Sequence, residues 1–273
     1  MIDRSGYELE VDETFERPQL DDRLWLPYYL PHWSSRAVTR ARYDVGGGAL
    51  RLRIDADQPP WNPEKDGGIR VSGLQTGQSS GPVGSGVGQL QFAQGLVVRE
   101  APPVEALYTP TYGLFEVELC AIDDPANMIA LWMIGFEDAP ERSGEICICE
   151  IFGRDVATDT ARVGMGIHPW ADPNLDEDFE RVALDIDVRE PHWYAAEWQP
   201  GRVRFFVDEQ LVKTVDESPT YPMQAMLTFY EFADGRESLS PADDYPKVAV
   251  VKGFRGWRPV GGPGARPSVF PAG

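Results

Sequence analysis

Histidine, cysteine and basic side chains are all scarce in this 273-residue chain, which has three histidines, three cysteines, and 25 lysines and arginines against 44 aspartates and glutamates. Three cysteines do not make a disulfide framework. Cys147 and Cys149, two apart in an extended run, are poorly placed to bridge each other, and neither has further Cys or His ligands at metal-site spacing. The net charge of −19 removes the phosphate-neutralising surface on which nucleic-acid binding rests. It also disfavours anionic membranes and sulfated glycans. A neutral polysaccharide or oligosaccharide fits as partner, although acidity by itself also confers solubility. No apolar run reaches the length of a membrane span. The opening MIDRSGYELEVDETF is acidic where a secretory leader is basic, and no apolar stretch follows. The expected location is cytoplasmic as encoded, and extracellular if a leader has been trimmed.

What the chain does have is punctuation and alternation. Its 27 glycines and 24 prolines recur too often for long amphipathic helices to fit between them. Period-two patterns appear instead, in Ala49–Ile54 (ALRLRI), Leu114–Leu119 (LFEVEL), Val182–Val188 (VALDIDV) and Arg202–Val207 (RVRFFV). Many strands with one wet face each predict an all-β sandwich or barrel. No low-complexity linker divides the chain, so one domain over residues 1–273 is expected. Gln75–Pro110, with its run GQSSGPVGSGVGQ, is too long for a simple turn. It reads as a functional loop or as a disordered excursion.

The most informative segment is Ser143–Gly153, SGEICICEIFG. In a regular strand Glu145, Cys147 and Cys149 face one way, and Ile146, Ile148 and Glu150 the other. That would set the charge of Glu150 among core-facing isoleucines at high cost. A β-bulge near Cys149 removes the conflict by rotating Glu150 onto the face of Glu145. Two carboxylates then converge from one strand, the arrangement a retaining glycosidase uses at about 5–5.5 Å.

This segment resembles the E-x-D-x-x-E signature of glycoside hydrolase family 16, and other segments match that family in order. Tyr112–Glu118 (YGLFEVE), Ala130–Gly135 (ALWMIG), Glu190–Asp208 (EPHWYAAEWQPGRVRFFVD) and Pro222–Thr228 (PMQAMLT) are each similar to a strand or hairpin of the family. Glu13–Trp25 resembles its opening. The resemblance implies a concanavalin-like β-jelly-roll sandwich of two antiparallel sheets. It also implies endo-hydrolysis of a β-glycan with retention, Glu145 as nucleophile and Glu150 as general acid/base. The bulged spacing is similar to the laminarinase- and agarase-like branches, which implies a β-1,3-glucan or a galactan more than xyloglucan. A transglycosylase, or a non-catalytic glycan-binding module on the same scaffold, are the alternatives.

The chain also departs from the family pattern. Cys147 stands where the family has the Asp that hydrogen-bonds the nucleophile and keeps the acid protonated. A thiol is a weaker donor and is neutral near pH 7. Its presence implies a Glu150 that ionises earlier than usual. Glu118 stands where a basic residue is frequent, and Met128 where tryptophan is frequent. Lys247 replaces the C-terminal Asp of the family's structural calcium site and would repel Ca²⁺, so neither metal nor cofactor is expected.

Eight tryptophans suggest stacking on pyranose rings. Trp132, Trp33, Trp61, His168 and Trp170 are the candidates for substrate contact, with core packing or structural hydrogen bonding as the other possibility for each. Trp193 and Trp198 are expected in the core. The protein is expected to be a monomer.

Overall fold

The computed structural model describes residues 1–137, 139–233 and 244–261. Among the described residues sixteen strands run in chain order: β1 (Tyr7–Glu13), β2 (Arg42–Val45), β3 (Leu50–Ile54), β4 (Arg70–Gln75), β5 (Gly77–Gln78), β6 (Glu105–Ala106), β7 (Gly113–Cys120), β8 (Asn127–Gly135), β9 (Glu145–Phe152), β10 (Ala161–His168), β11 (Asp178–Leu184), β12 (His192–Gln199), β13 (Arg202–Val207), β14 (Gln210–Val215), β15 (Met223–Glu231) and β16 (Lys247–Pro259). Helix among the described residues is confined to one α-turn at Arg36–Thr39 and two 3-10 turns.

The strands form two large antiparallel sheets, the jelly-roll sandwich expected from the sequence. One has eight strands, in the order β14-β13-β12-β7-β16-β3-β2, with β1 also paired to β16. The other has six, in the order β11-β10-β9-β8-β15-β4. Alternation puts one face of each sheet inward. Phe115, Val117 and Leu119 of β7, Tyr194, Ala196 and Trp198 of β12, and Val203 and Phe205 of β13 meet Ile129, Leu131 and Met133 of β8, Val163 and Met165 of β10, and Leu227 and Phe229 of β15 in one continuous core. Burying such side chains contributes about 1.5–3 kcal/mol each.

The pattern at Val182–Val188 is only partly realised. β11 ends at Leu184, and Asp185–Ile186 bend away. β11 is the edge of its sheet, so no second neighbour holds its end in the ladder, although Val188 still reaches the core.

The six-stranded sheet is unusual in being buried on much of its outer face as well. β8 and β15 are buried at every position. Met128, Ala130, Trp132 and Ile134 of β8, with Met226 and Tyr230 of β15, support a second apolar cluster. Tyr29, Leu30, Trp33, Trp61, Leu90, Leu96 and Val98 cover it from three loops. The long segment from Gln75 to Pro110 is therefore a packed lid over half the sheet, pinned by Leu90, Leu96 and Val98. It covers the β4-β15-β8 half, and on the other half Glu150 and His168 remain partly exposed.

Lys247, at the start of β16, bonds the Asp124 carboxylate through its ammonium. The position that the resemblance assigns to calcium thus carries its own fixed cation, and an added ion does not fit beside it. Among the described residues no helix is long and apolar enough to cross a membrane.

Gly135 closes β8 where the chain turns toward β9. A Cβ there would collide with the Arg142 carbonyl and lie 3.0 Å from the Tyr221 ring. Gly135→Ala should therefore destabilise the protein by about 2–3 kcal/mol, read as a lowered urea midpoint with an unchanged slope.

Candidate active site

β9 carries the irregularity that the sequence required. Against β8, Leu131 pairs with Cys149 but the next residue, Trp132, pairs with Cys147, so Ile148 is extra. Against β10, Gly164 faces Glu150 and Gly166 faces Cys147, leaving Ile148 and Cys149 opposite Met165 alone. Ile146, Ile148, Cys149 and Ile151 all enter the main core. Two consecutive inward residues return Glu150 to the outer face with Glu145 and Cys147. A carboxylate oxygen of each glutamate and the Cys147 sulfur all lie within 4.8 Å of one another.

The partner strand is shaped to admit this trio. Gly164 faces Glu150, and a Cβ at Gly164 would lie 2.5 Å from the Phe179 ring and 3.1 Å from the Glu150 Cβ. Gly166 has φ +146° and abuts the Asp178 carbonyl, where any Cβ would collide. Both glycines are needed because the bulge draws β10 and β11 close.

Burial sets the electrostatics. Glu145 is 4% exposed, and its carboxyl is pushed up to about 8, first by burial and then by the charge of Glu150. A hydrogen bond from the Trp170 indole, Nε1 to Oε2 at 2.8 Å, acts in the opposite direction. Glu150 is also raised by burial, and the nearby His168 ring and Arg181 guanidinium act in the opposite direction. Two like carboxyls this close cannot both ionise readily, so they titrate as a pair that shares a proton.

Cys147 is fully buried, and its thiol is held well above its ordinary range by burial and by both glutamates. Its sulfur points to the Gly164 carbonyl at 3.7 Å. This trio is the metal-ligand-type cluster found among the described residues. The thiol would have to surrender a proton that its surroundings hold, which makes the trio a poor seat for a resident ion.

The candidate aromatic residues separate into two groups. Trp33 and Trp61 are 1% and 2% exposed, with indoles bonded to the Gln89 carbonyl and the Asp66 carboxylate. Trp61 is enclosed by Tyr29 and Phe92. Neither ring offers a face to a ligand in this structure; both hold the lid to the sheet. Trp132 neighbours Cys147 across the ladder but is nearly covered, its indole donating to Thr228.

His168 and Trp170 lie on the β9-β10-β11 half. The His168 ring stacks on Phe179 at 4.5 Å and contacts Glu177 through Nδ1. Trp170 is 46% exposed. With Ser143, Gly86, Val87, Gly88 and Glu137 it lines a cavity of about 460 Å³, so the glycine-rich loop borders the cavity that Trp170 lines. Trp193 is only partly buried and carries the Arg255 guanidinium on its ring, whereas Trp198 is in the core.

Sequence reasoning missed Glu137 and the tyrosine pair Tyr29–Tyr230. Glu137 lines the cavity, accepts from the Leu90 backbone at 2.7 Å, and is pushed up to about 8 by burial. Its environment comes from a loop almost fifty residues away in sequence, and no local pattern announces it. The signal for Tyr230 was available in its outward parity on β15.

With this geometry in view, the comparisons are direct. The family model for glycosyl hydrolases family 16 matches residues 85–248. A GlcNAcα1-4Gal-releasing endo-β-galactosidase from Clostridium perfringens superposes with a TM-score of 0.80 at 30% identity, over 96% of this chain. The present chain spans 65% of that protein's length. The laminarinase from Rhodothermus marinus shares the fold at 20% identity and a TM-score of 0.63, over 93% of this chain and 98% of its own. SCLam, a non-specific endo-β-1,3(4)-glucanase, does so at 17% and 0.66, over 95% and 94%. A search of curated proteins returned no match.

Two outcomes concern Cys147. Iodoacetamide on the native protein at pH 8 should label Cys120, which is partly exposed, and spare Cys147 and Cys149 until denaturant is added, as peptide mass spectrometry would show. In Cys147→Asp, a new carboxylate beside Glu150 should hold its proton to higher pH. The alkaline limb of the pH–rate profile should then move upward.

Proposed function

The chain belongs to family 16 of the glycosyl hydrolases, and on that premise we propose that it cleaves an internal β-glycosidic bond of a neutral glycan with retention of configuration. The observation that carries this is the bulge in β9, which sets the Glu145 and Glu150 carboxyls on one face within 4.8 Å. That is the spacing of a nucleophile and an acid/base, and is too close for a water to be activated between two carboxylates in an inverting reaction.

In the first step a Glu145 oxygen forms a bond to the anomeric carbon as the bond to the leaving oxygen breaks, and Glu150 donates its proton to that oxygen. In the second, Glu150 takes a proton from water, whose oxygen displaces Glu145 and regenerates both groups. The productive form has Glu145 ionised and Glu150 protonated. The shared proton of the pair supplies that form, with the indole favouring an ionised Glu145 and the Arg181 guanidinium an ionised Glu150. Burial raises both carboxyls, which opposes the early ionisation of Glu150 that the replacement of Asp by Cys147 implies on its own.

For the substrate, a β-galactoside-containing glycan is favoured over β-1,3-glucan. The endo-β-galactosidase is more similar in both sequence and structure than either glucan-degrading enzyme compared above, and the site lies beside a cavity lined by the glycine-rich loop rather than along the whole sheet. Cys147 specifically favours a second reading, a glycan-binding module without turnover.

Reducing-sugar release and binding, measured on galactose-containing O-glycans, agarose, laminarin, lichenan and xyloglucan, would separate the two. Cleavage of a galactoside is expected, and binding without release supports the module. With an activated aryl glycoside, Glu145→Gly should lose activity by at least about 10³-fold. Azide should restore turnover to it with an inverted glycosyl azide as product. Glu150→Ala should spare activated leaving groups far more, because they need little protonation.

A further inference from the structure

We propose that Trp170 is the positioning residue of Glu145: its indole N–H fixes the carboxylate while the same ring's open face receives the sugar, so that substrate binding tightens the hold on the nucleophile. This rests on Glu145 acting as nucleophile. A buried carboxylate needs donors, and Cys147, the neighbour best placed to donate, directs its weak S–H at the Gly164 carbonyl instead. The donor that reaches Glu145 is the Trp170 indole at 2.8 Å.

Trp170 is also the most exposed tryptophan among the described residues, with 46% of its surface open to solvent. Its edge is committed to Glu145, which leaves its flat faces for contact with the apolar face of a pyranose. The backbone is turned to achieve this. Trp170 has φ +49°, a conformation that a bulky side chain seldom adopts. The turn is held by the Ala171 amide on the Ser143 hydroxyl at 2.9 Å and by the Asp172 amide on the Pro169 carbonyl at 2.8 Å. Ser143 immediately precedes the Gly144–Glu145 step into β9, so the indole and its acceptor are braced against each other. Trp170 lines the 460 Å³ cavity together with Ser143, so a sugar there would exclude water from the indole–carboxylate bond. A hydrogen bond to a charged acceptor strengthens when it is dried.

The groups that face Glu145 are Glu150 and Cys147 on its own strand, His168 opposite it on β10, Glu177 beyond His168, and Tyr29 from the covering loop. Glu150 and Glu177 both disfavour its ionised form, and the Trp170 donor opposes them. Removing that donor must therefore raise the pKa of Glu145. A nucleophile must be ionised, so the acidic limb of kcat/KM must move to higher pH.

Trp170→Phe keeps a ring and loses the N–H. On the best substrate of the panel, or an aryl β-glycoside, it should shift the acidic limb up by about one pH unit and lower kcat about tenfold, with KM nearly unchanged. Trp170→Ala should show the same shift and a raised KM. Independently of activity, the indole ¹H–¹⁵N resonance of Trp170 in the unaltered protein should move as the carboxyl pair titrates, and that movement should be absent in Glu145→Gln. An unmoved limb in Trp170→Phe, or an indole resonance indifferent to pH, overturns the proposal. Failure of azide to rescue Glu145→Gly would instead overturn the nucleophile assignment beneath it.

Discussion

The site depends on one extra residue in a strand. A regular β-strand has a period of two, so positions 145 and 150 fall on opposite faces. The alternative to a bulge would be a buried glutamate among isoleucines, at a cost of several kcal/mol. The structure avoids this by turning both Ile148 and Cys149 into the core, which sacrifices a rung of the ladder and adds twist. The consequences reach the next strands. Met165 faces two residues, Gly164 and Gly166 lose side chains that would collide, and Phe179 of β11 moves in over Gly164. The aromatic stack of His168 on Phe179 follows from the same close approach.

Once the bulge brings the carboxyls together, the electrostatics are a contest among three effects. Burial and mutual repulsion raise both glutamates, and directed donors or cations oppose them. The sequence alone supplied just one part of this, the substitution of a thiol for a carboxylate at Cys147, and from it an acid that ionises early. The folded environment adds desolvation, which acts in the opposite direction and is the largest cause at each carboxyl. The thiol becomes a passive neighbour, protonated and bonded to a carbonyl. A neutral thiol fills the place between two acids without adding a third negative charge to a buried cluster.

The sheets were legible because alternation in RVRFFV, LFEVEL and ALRLRI is a local property, and each of those segments lies in a strand with the expected face inward. The bulge was legible because a charge in an apolar register is itself a contradiction visible in eleven residues. The aromatics were not legible in the same way. Trp33, Trp61 and Trp170 all lie outside strands, and nothing within a few residues of each distinguishes a wall from a platform. What distinguishes them is long-range. Trp33 meets Gln89, and Trp61 meets Tyr29 and Phe92, whereas the Trp170 indole meets the Glu145 carboxylate. The segment from Gln75 to Pro110 offered both order and disorder as readings. The choice was made by Leu90, Leu96 and Val98, apolar residues that find the outer face of β8.

That lid also limits what the cleft can do. Tyr29 packs edge-on against Trp61, Trp132 and Tyr230, which ties two loops and two strands into a single apolar block. Opening it would expose several large aromatic side chains, each worth about 1.5–3 kcal/mol of burial, so the block is a fixed wall. Half of the sheet's outer face is thereby closed, and the cavity beside Trp170 lies at the edge of this block, where Gly86, Val87 and Gly88 line it. The same loops that fill the cleft on one side thus restrict the substrate on the other, and they do so without contributing a residue to the chemistry.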